Sequence, residues 1–135
     1  MPALEYFVVA ESISIDRDSN RISLFHVVEE EFCTDFPATI PQLVAVSGWR
    51  ISAEDIGKDF QVMLKIHRPW EEKRPHYPEF PINFTAEGPR ARVNHYVLRL
   101  RVQKPCELTF EVLLNGEHQA SHVVTCRSLG ERARE

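Results

Sequence analysis

The sequence feature that most constrains the fold is an alternation of apolar and polar residues. Over residues 60–67 the even positions are all apolar, and the odd positions are polar apart from Met63. This period of two is typical of a β-strand that buries one face. The same alternation occurs over residues 80–87, 95–102 and 106–114. The pattern therefore predicts four half-buried strands directly.

Less regular segments predict four further strands, at residues 4–15, 21–28, 42–50 and 118–126. The first of these is apolar on both faces as far as Ala10 and alternates afterwards. We therefore expect it to be central first and at a sheet edge later. Ser52, Asp55 and Gly57 predict a single helical turn between two strands.

The chain offers no helix of the dozen or more residues that a parallel crossover between strands needs. We therefore predict an all-β fold: an antiparallel β-sandwich of two sheets, immunoglobulin-like or related in topology, with about eight strands and at most one short helical turn. A closed barrel is the alternative. Pro81 predicts that the strand near residue 80 lies at a sheet edge or starts at this position.

The length of 135 residues fits one domain, since domains have roughly 150 residues. Hydrophobic residues make up 43% and charged residues 27%, which excludes disordered and membrane-spanning classes. We expect the sandwich to occupy residues 1–127 and a charged, flexible tail to occupy residues 128–135. The net charge of −4 gives no general attraction for nucleic acid or an anionic membrane, so we expect neither as a partner. No basic segment followed by an apolar one opens the sequence, and we expect a cytoplasmic protein.

The turn at Asn115-Gly116 allows one strand register to be predicted by counting. A two-residue loop would put the apolar residues of its two strands on opposite faces of the sheet. A three-residue loop, with Gly116 in the left-handed position of a bulge, brings them onto one face. We therefore predict the bulged loop, which places His118 and Cys126 on the same face as Phe110.

The three cysteines, Cys33, Cys106 and Cys126, are odd in number and form no C-x-x-C pair. This usage is typical of free thiols in a reducing compartment. The predicted register nevertheless brings Cys106 and Cys126 close together across the last two strands. We expect these two thiols to remain reduced.

A turn at residues 103–105 predicts a second hairpin, in which Val102 pairs with Cys106 and Arg101 lies beside Glu107. The arginines of this region suggest a phosphate-binding face, but Glu107 and Glu111 would neutralise part of it. Because exposed ion pairs contribute only about 0 to 1 kcal/mol each, we interpret the region as a solvated charge ladder. The arginines concerned are Arg90, Arg92, Arg99 and Arg101.

The inward positions of the clearest strands predict one shared core. A single core is what one domain built from two packed sheets requires. The predicted members are Phe60, Val62, Leu64, Ile66, Leu98, Leu100, Leu108, Phe110 and Val112.

No motif of known catalytic chemistry occurs in the sequence. There is no G-x-S-x-G, no glycine-rich phosphate loop and no H-E-x-x-H. His118 and His122 share a strand face, but residues four apart on a strand are about 13 Å apart, which is too far for one metal ion. The acidic runs at residues 29–31 and 71–72 are interpreted as solvated charges. We therefore predict no catalytic residue, no metal and no cofactor.

Residues 69–78 are the one segment without an evident packing purpose. Three prolines stiffen it, and Trp70, His76 and Tyr77 offer flat surfaces of the kind found at protein interfaces. These three residues are the predicted partner-binding site. Alternatively, Trp70 and Tyr77 fold back and cap the open end of the sandwich.

The opening and closing hairpins resemble those of a known family. Residues 6–14, the polar turn at 16–20 and the following Ile22, Ser23, Leu24 and Val27 are similar to the start of a family of small, uncharacterised bacterial β-sandwich proteins. The hairpin of residues 107–125 is similar in style, so the resemblance spans residues 3–127. The family is one of unknown function, and the resemblance therefore implies no catalytic or ligand-binding residue.

Two functions remain open from the sequence. The favoured one is a non-catalytic module that binds a protein partner or itself, because edge strands and an aromatic loop occur without a reaction motif. If the first strand is an edge, a symmetry mate would cover it, which predicts a homodimer. The alternative is a small enzyme or ligand-binding β-domain whose site is assembled from scattered His, Arg and Glu residues. A deep apolar pocket with convergent polar groups would favour this alternative.

Overall fold

The computed structural model describes residues 1–71 and 78–132 of the chain. In chain order the strands are β1 (Ala3–Ile15), β2 (Ile22–Val27), β3 (Glu30–Cys33), β4 (Ala38–Arg50), β5 (Asp59–His67), β6 (Glu79–Thr85), β7 (Arg90–Val102), β8 (Cys106–Leu114) and β9 (Glu117–Ser128). Short helical turns occupy Ala53–Asp55, Pro69–Glu71 and Leu129–Arg132. The first is the turn expected after Ser52. The other two are additional to the single turn predicted, and the last lies inside the predicted tail.

The strands form two sheets, which confirms the predicted all-β, two-sheet fold. The first sheet has the order β2-β1-β4-β7, and the second has the order β3-β9-β8-β5-β6. Neighbouring strands are antiparallel apart from β3 and β9, which run parallel. β3 is additional to the eight expected strands, because Glu30 and Glu31 belong to a run that the sequence presents as solvated charge. β6, which contains Pro81, lies at a sheet edge as predicted.

The core lies between the two sheets and contains all but one of the predicted residues. Those confirmed as buried are Phe60, Val62, Leu64, Ile66, Leu100, Leu108, Phe110 and Val112. β4 adds Leu43 and Trp49, which are fully buried. The prediction is wrong for Leu98, whose side chain is 65% exposed.

Leu98 is exposed because β7 changes face in the middle of its length. Val97 is buried before the change and Leu100 after it, so an extra residue separates the two inward series. Arg99 supplies this residue in the left-handed region, at a φ of 55°. The register places Pro41 of β4 opposite Arg99. Val97 and Leu100 are three residues apart, so a count of alternating residues does not predict that both are buried.

The predicted hairpin between β7 and β8 is wrong, because the two strands belong to different sheets. Residues 103–105 cross from the first sheet to the second. Val102 pairs with Ala38 in the first sheet, and Cys106 pairs with Cys126 in the second. An inward apolar face is buried equally well beside a neighbouring strand or across the core, so the sequence pattern does not distinguish these arrangements.

The β8–β9 hairpin has the predicted register over most of its length, but its bulge lies within the strands and not in the turn. Phe110 pairs with His122, as the even register requires. The loop itself has two residues, Asn115 and Gly116, with φ angles of 48° and 87° that are typical of a type I′ turn. The register shifts between Val112 and Leu113 instead, so the predicted three-residue bulged loop is wrong.

The β1–β2 hairpin folds onto the outer face of the first sheet. Ala10, Val44 and Val46 form a small buried cluster there, covered by the partly buried Ile13, Ile22 and Leu24. At the tip of the hairpin, the guanidinium of Arg92 donates hydrogen bonds of 3.1 and 3.0 Å to the carbonyl and side-chain oxygens of Asn20. Over residues 43–49 β4 is therefore buried on both faces, while β7 is covered only along its first half.

Candidate functional site

Trp70 is the only predicted partner-binding residue that the described part of the chain includes. It lies in the helical turn after β5, is half-buried and packs against the core. The guanidinium of Arg68 lies 5.7 Å from the centre of its ring. Trp70 therefore has the packing expected of a lid, and its role as a partner contact stays a prediction. His76 and Tyr77 lie outside the described residues.

Among the strands at the edges of the two sheets, β7 has the longest unpaired side. It is 13 residues long, and it pairs with β4 along one side. Within residues 1–71 and 78–132, no strand pairs with its other side. Such an edge presents unpaired backbone N–H and C=O groups, which are the groups that bind an additional strand.

Two large apolar side chains lie exposed on the outer face of β7. Tyr96 is 54% exposed and Leu98 is 65% exposed. Their cross-strand neighbours in β4 are Val44 and Gln42, so both side chains lie on the face that the β1–β2 hairpin partly covers. The alternation of the sequence predicts a core position for Leu98, because it does not reveal the change of face at Arg99. The two residues form an apolar patch next to a free strand edge, a combination typical of interaction sites.

Four arginines follow the same strand, and their partners differ. Arg90 lies 2.7 Å from the carboxylate of Glu5, and Arg92 is held by the hairpin tip. Arg99 and Arg101 are exposed, and neither forms an ion pair within the described part of the chain. We call Tyr96, Leu98, Arg99 and Arg101 the β7 patch.

The predicted neutralisation of these arginines by Glu107 and Glu111 is wrong. Both glutamates lie on β8, in the second sheet, so they are not cross-strand neighbours of β7. Arg101 instead pairs with Thr39 of β4, a neutral residue. The positive charge of the β7 patch is therefore not matched by a ladder of carboxylates.

A second cluster lies on the outer face of the second sheet, around Glu111. Its two carboxylate oxygens lie 3.1 Å from Nε2 of His67 and 2.6 Å from Nδ1 of His118. Partial burial opposes ionisation of Glu111, but the hydrogen bonds and positive charges of both histidines outweigh it and lower its pKa. The three side chains come from three neighbouring strands, β5, β8 and β9.

Sequence analysis missed this cluster because it misplaced His118. The register shift near Leu113 turns His118 to the outer face, whereas His122 remains on the inner side. Nε2 of His122 donates a 2.7 Å hydrogen bond to the carbonyl of Val28. The two histidines therefore do not share a face. Among the described side chains, no three His, Cys, Asp or Glu residues are arranged to hold a metal ion.

The thiols of Cys106 and Cys126 come from directly paired positions, which confirms that they are neighbours. Both are free, and burial raises the pKa of the Cys126 thiol to about 12. A thiol with so high a pKa is a poor nucleophile at neutral pH, because the thiolate is the reactive form. Their reduced state in the cell stays a prediction.

Comparison with known protein families gives a match, which spans most of the chain. The sequence profile of a family of unknown function, DUF6941, matches residues 5–125. The chain belongs to this family. The matched residues include all of β2–β8 and most of β1 and β9, but the family assigns no role to any residue. A comparison with curated proteins gives no match. No helix in the described ranges has the length and apolar character needed to cross a membrane.

Proposed function

We propose that the protein is a non-catalytic interaction module that binds an extended segment of a partner protein along the free edge of β7. The observation that carries this proposal is the unpaired side of β7 next to exposed Tyr96 and Leu98. A segment that adds to such an edge gains main-chain hydrogen bonds along its length and side-chain contacts at alternate residues.

The contrast with the other sheet edges supports this choice. β2 has six residues, β3 has four, and β6 has seven residues with a proline in the middle. Short edge strands and edge prolines are common protections against unwanted pairing. β7 is longer than any of these and contains no proline. Its length suits the binding of a whole additional strand.

The enzyme alternative has weaker support. The cluster of His67, Glu111 and His118 is the best available group for acid–base chemistry. A general base works best when its pKa is near the operating pH, whereas these histidines lower the pKa of Glu111. The cluster lies on an outer sheet face, with His118 exposed. None of these three side chains lines the clefts near Asn115, Thr34 and Gly48, so the cluster is not placed in any of these three clefts.

A homodimer through β1 is the second candidate. The first half of β1 pairs only with β4, because the ladder with β2 begins at Ala10. A symmetry mate that covered this side would bury Tyr6, which is partly exposed. Sedimentation at high micromolar concentration tests this candidate, and a single monomeric species would remove it. The free thiols favour a cytoplasmic location for either assembly.

Binding of model strands tests the proposed function. We would use peptides of about ten residues in which valine alternates with glutamate, threonine or lysine, so that any charge preference of the edge is met. At least one peptide should bind the wild-type protein, and the double variant Tyr96→Ser/Leu98→Ser should weaken its binding about tenfold or more. Val123→Ser on β9 is the matched control, because Val123 is also an exposed apolar strand residue. Absence of binding by all three peptides, or equal binding to the double variant, would overturn the proposal.

A further inference from the structure

We infer that the segment accepted by β7 is acidic, and that Arg99 and Arg101 select it. This inference rests on the proposed function and adds the chemistry of the partner. The chain as a whole has a net charge of −4, yet β7 carries four arginines and no carboxylate. The edge that is free to pair therefore has the opposite charge to the rest of the molecule.

The unmatched charge is concentrated in the second half of β7. Arg90 is paired with Glu5, and Arg92 is engaged by Asn20. Arg99 and Arg101 have no such contact with any described residue, and the exposed Lys104 follows them. Three cations thus lie within six residues, directly after the exposed apolar pair.

The change of face at Arg99 creates this arrangement. With regular alternation, Leu98 and Leu100 would both be buried. The left-handed residue turns Leu98 outward while Leu100 remains in the core, so an exposed apolar residue directly precedes Arg99. A complementary segment therefore needs an apolar residue to contact Tyr96 or Leu98, and carboxylates one or two residues further along to face the arginines.

The same charges disfavour a second copy of β7 as the partner. Antiparallel pairing of two β7 strands would bring arginines close to arginines, and like charges on neighbouring strands are destabilising. An acidic segment gains opposite-charge contacts at the same positions. Such a segment is also attracted over a distance of about 10 Å at moderate ionic strength, which favours encounter.

The experiment compares the three alternating peptides by fluorescence anisotropy at low and high salt. The glutamate peptide should bind the wild type about tenfold more tightly than the threonine peptide at low salt, and the lysine peptide should bind more weakly than either. High salt should reduce the glutamate advantage. In the double variant Arg99→Glu/Arg101→Glu the order of the glutamate and lysine peptides should reverse.

The matched control is Arg17→Glu/Arg21→Glu, which changes the net charge equally. These exposed arginines belong to the β1–β2 turn region, whose tip contacts β7 at Arg92. Arg92 is seven residues from Arg99, or about 23 Å along a strand, so the control should keep the wild-type preference. If the β7 variant does not fold, the effect of salt on binding of the glutamate peptide to the wild type still tests the acidic preference.

The outcomes separate this inference from the proposed function. If all three peptides bind the β7 edge with equal affinity and no salt dependence, the acidic preference is wrong and edge binding stands. If no peptide binds, both are wrong. If a single-stranded oligonucleotide of thymidine binds more tightly than the glutamate peptide, and Arg99→Glu/Arg101→Glu abolishes that binding, the ligand is a nucleic acid and the inference is overturned.

Discussion

β8 and β7 are both long strands with an inward apolar face, but they differ in strand pairing and in the exposure of their other apolar side chains. β8 has a strand on each side, and β7 has a strand on one side only. β8 buries Leu113 and Leu114 in addition to its alternating series, whereas β7 exposes Tyr96 and Leu98. The comparison indicates that β8 serves the stability of the fold, and that the outer side of β7 contributes little to it. Substitutions in the two strands should therefore have very different effects.

The largest effect is expected for Phe110→Ala in β8. Phe110 is fully buried between the sheets, and truncation of a buried phenylalanine costs about 3–5 kcal/mol of unfolding free energy. Urea denaturation measures the loss. Leu98→Ala is the matched control in β7 and should change the free energy by no more than about 0.5 kcal/mol. An unchanged midpoint for Phe110→Ala would show that β8 is not central to the core.

A smaller, pH-dependent effect is expected from the inner face of β7. Burial lowers the pKa of His95 below its ordinary value of 6.5, with hydrogen bonding to the backbone of Phe80 and Val62 acting in the opposite direction. Below pH 6.5 the unfolded chain therefore binds more protons at this residue than the folded chain does. Stability should fall as the pH decreases below that value.

His95→Leu should remove this pH dependence and leave stability at neutral pH nearly unchanged. Nε2 of His95 is buried with no hydrogen-bond partner among the described residues, so replacement by leucine removes an unsatisfied polar atom. Thermal unfolding between pH 5 and 7.5 measures the difference. The same slope in wild type and His95→Leu would contradict the assignment.

The outer face of the second sheet should respond at lower pH. Because the pKa of Glu111 is lowered in the folded protein, its contribution to stability is fully present above the ordinary value of 4.5 and is lost as the pH falls through the folded value. Glu111→Gln should therefore flatten the loss of stability in this acid range. Glu117→Gln on β9 is the control. Acid titration followed by circular dichroism should show a smaller change for Glu111→Gln than for the wild type.

The smallest effect on stability is expected for Tyr96→Ser/Leu98→Ser in the β7 patch. Both side chains are more than half exposed, and surface substitutions away from special contacts change stability by about 0.5 kcal/mol or less. Urea denaturation gives the measurement. A loss of several kcal/mol would mean that these side chains support the fold, and the division between β8 and β7 would fail.

Much of the fold can be predicted from the sequence because burial of one strand face leaves a period of two. Phe60, Val62, Leu64 and Ile66 follow it without exception, and all four are buried. The β8–β9 register also follows from alignment of apolar faces. The position of the bulge cannot be predicted in the same way, because several single-residue shifts would align the same apolar residues. Local backbone preference decides which of these shifts occurs.

The candidate site was largely beyond prediction for a related reason. Leu98 and Leu100 belong to one continuous alternation over residues 95–102, so the pattern assigns both to the core. The left-handed backbone of Arg99 and the assignment of β7 and β8 to different sheets depend on tertiary packing. The arginines are evident in the sequence, but the pattern pairs them with Glu107 and Glu111, which lie in the other sheet.

The most direct test of the account is an amide map of the wild-type protein bound to the glutamate peptide. Two-dimensional nitrogen–proton spectra should show the largest shift changes along Arg90–Val102, and hydrogen exchange should slow at the β7 amides that have no partner in β4. The amides of β2, β3 and β6 should be unaffected. Shift changes centred on any of those three edges, with β7 unchanged, would contradict the claim that β7 is the binding edge.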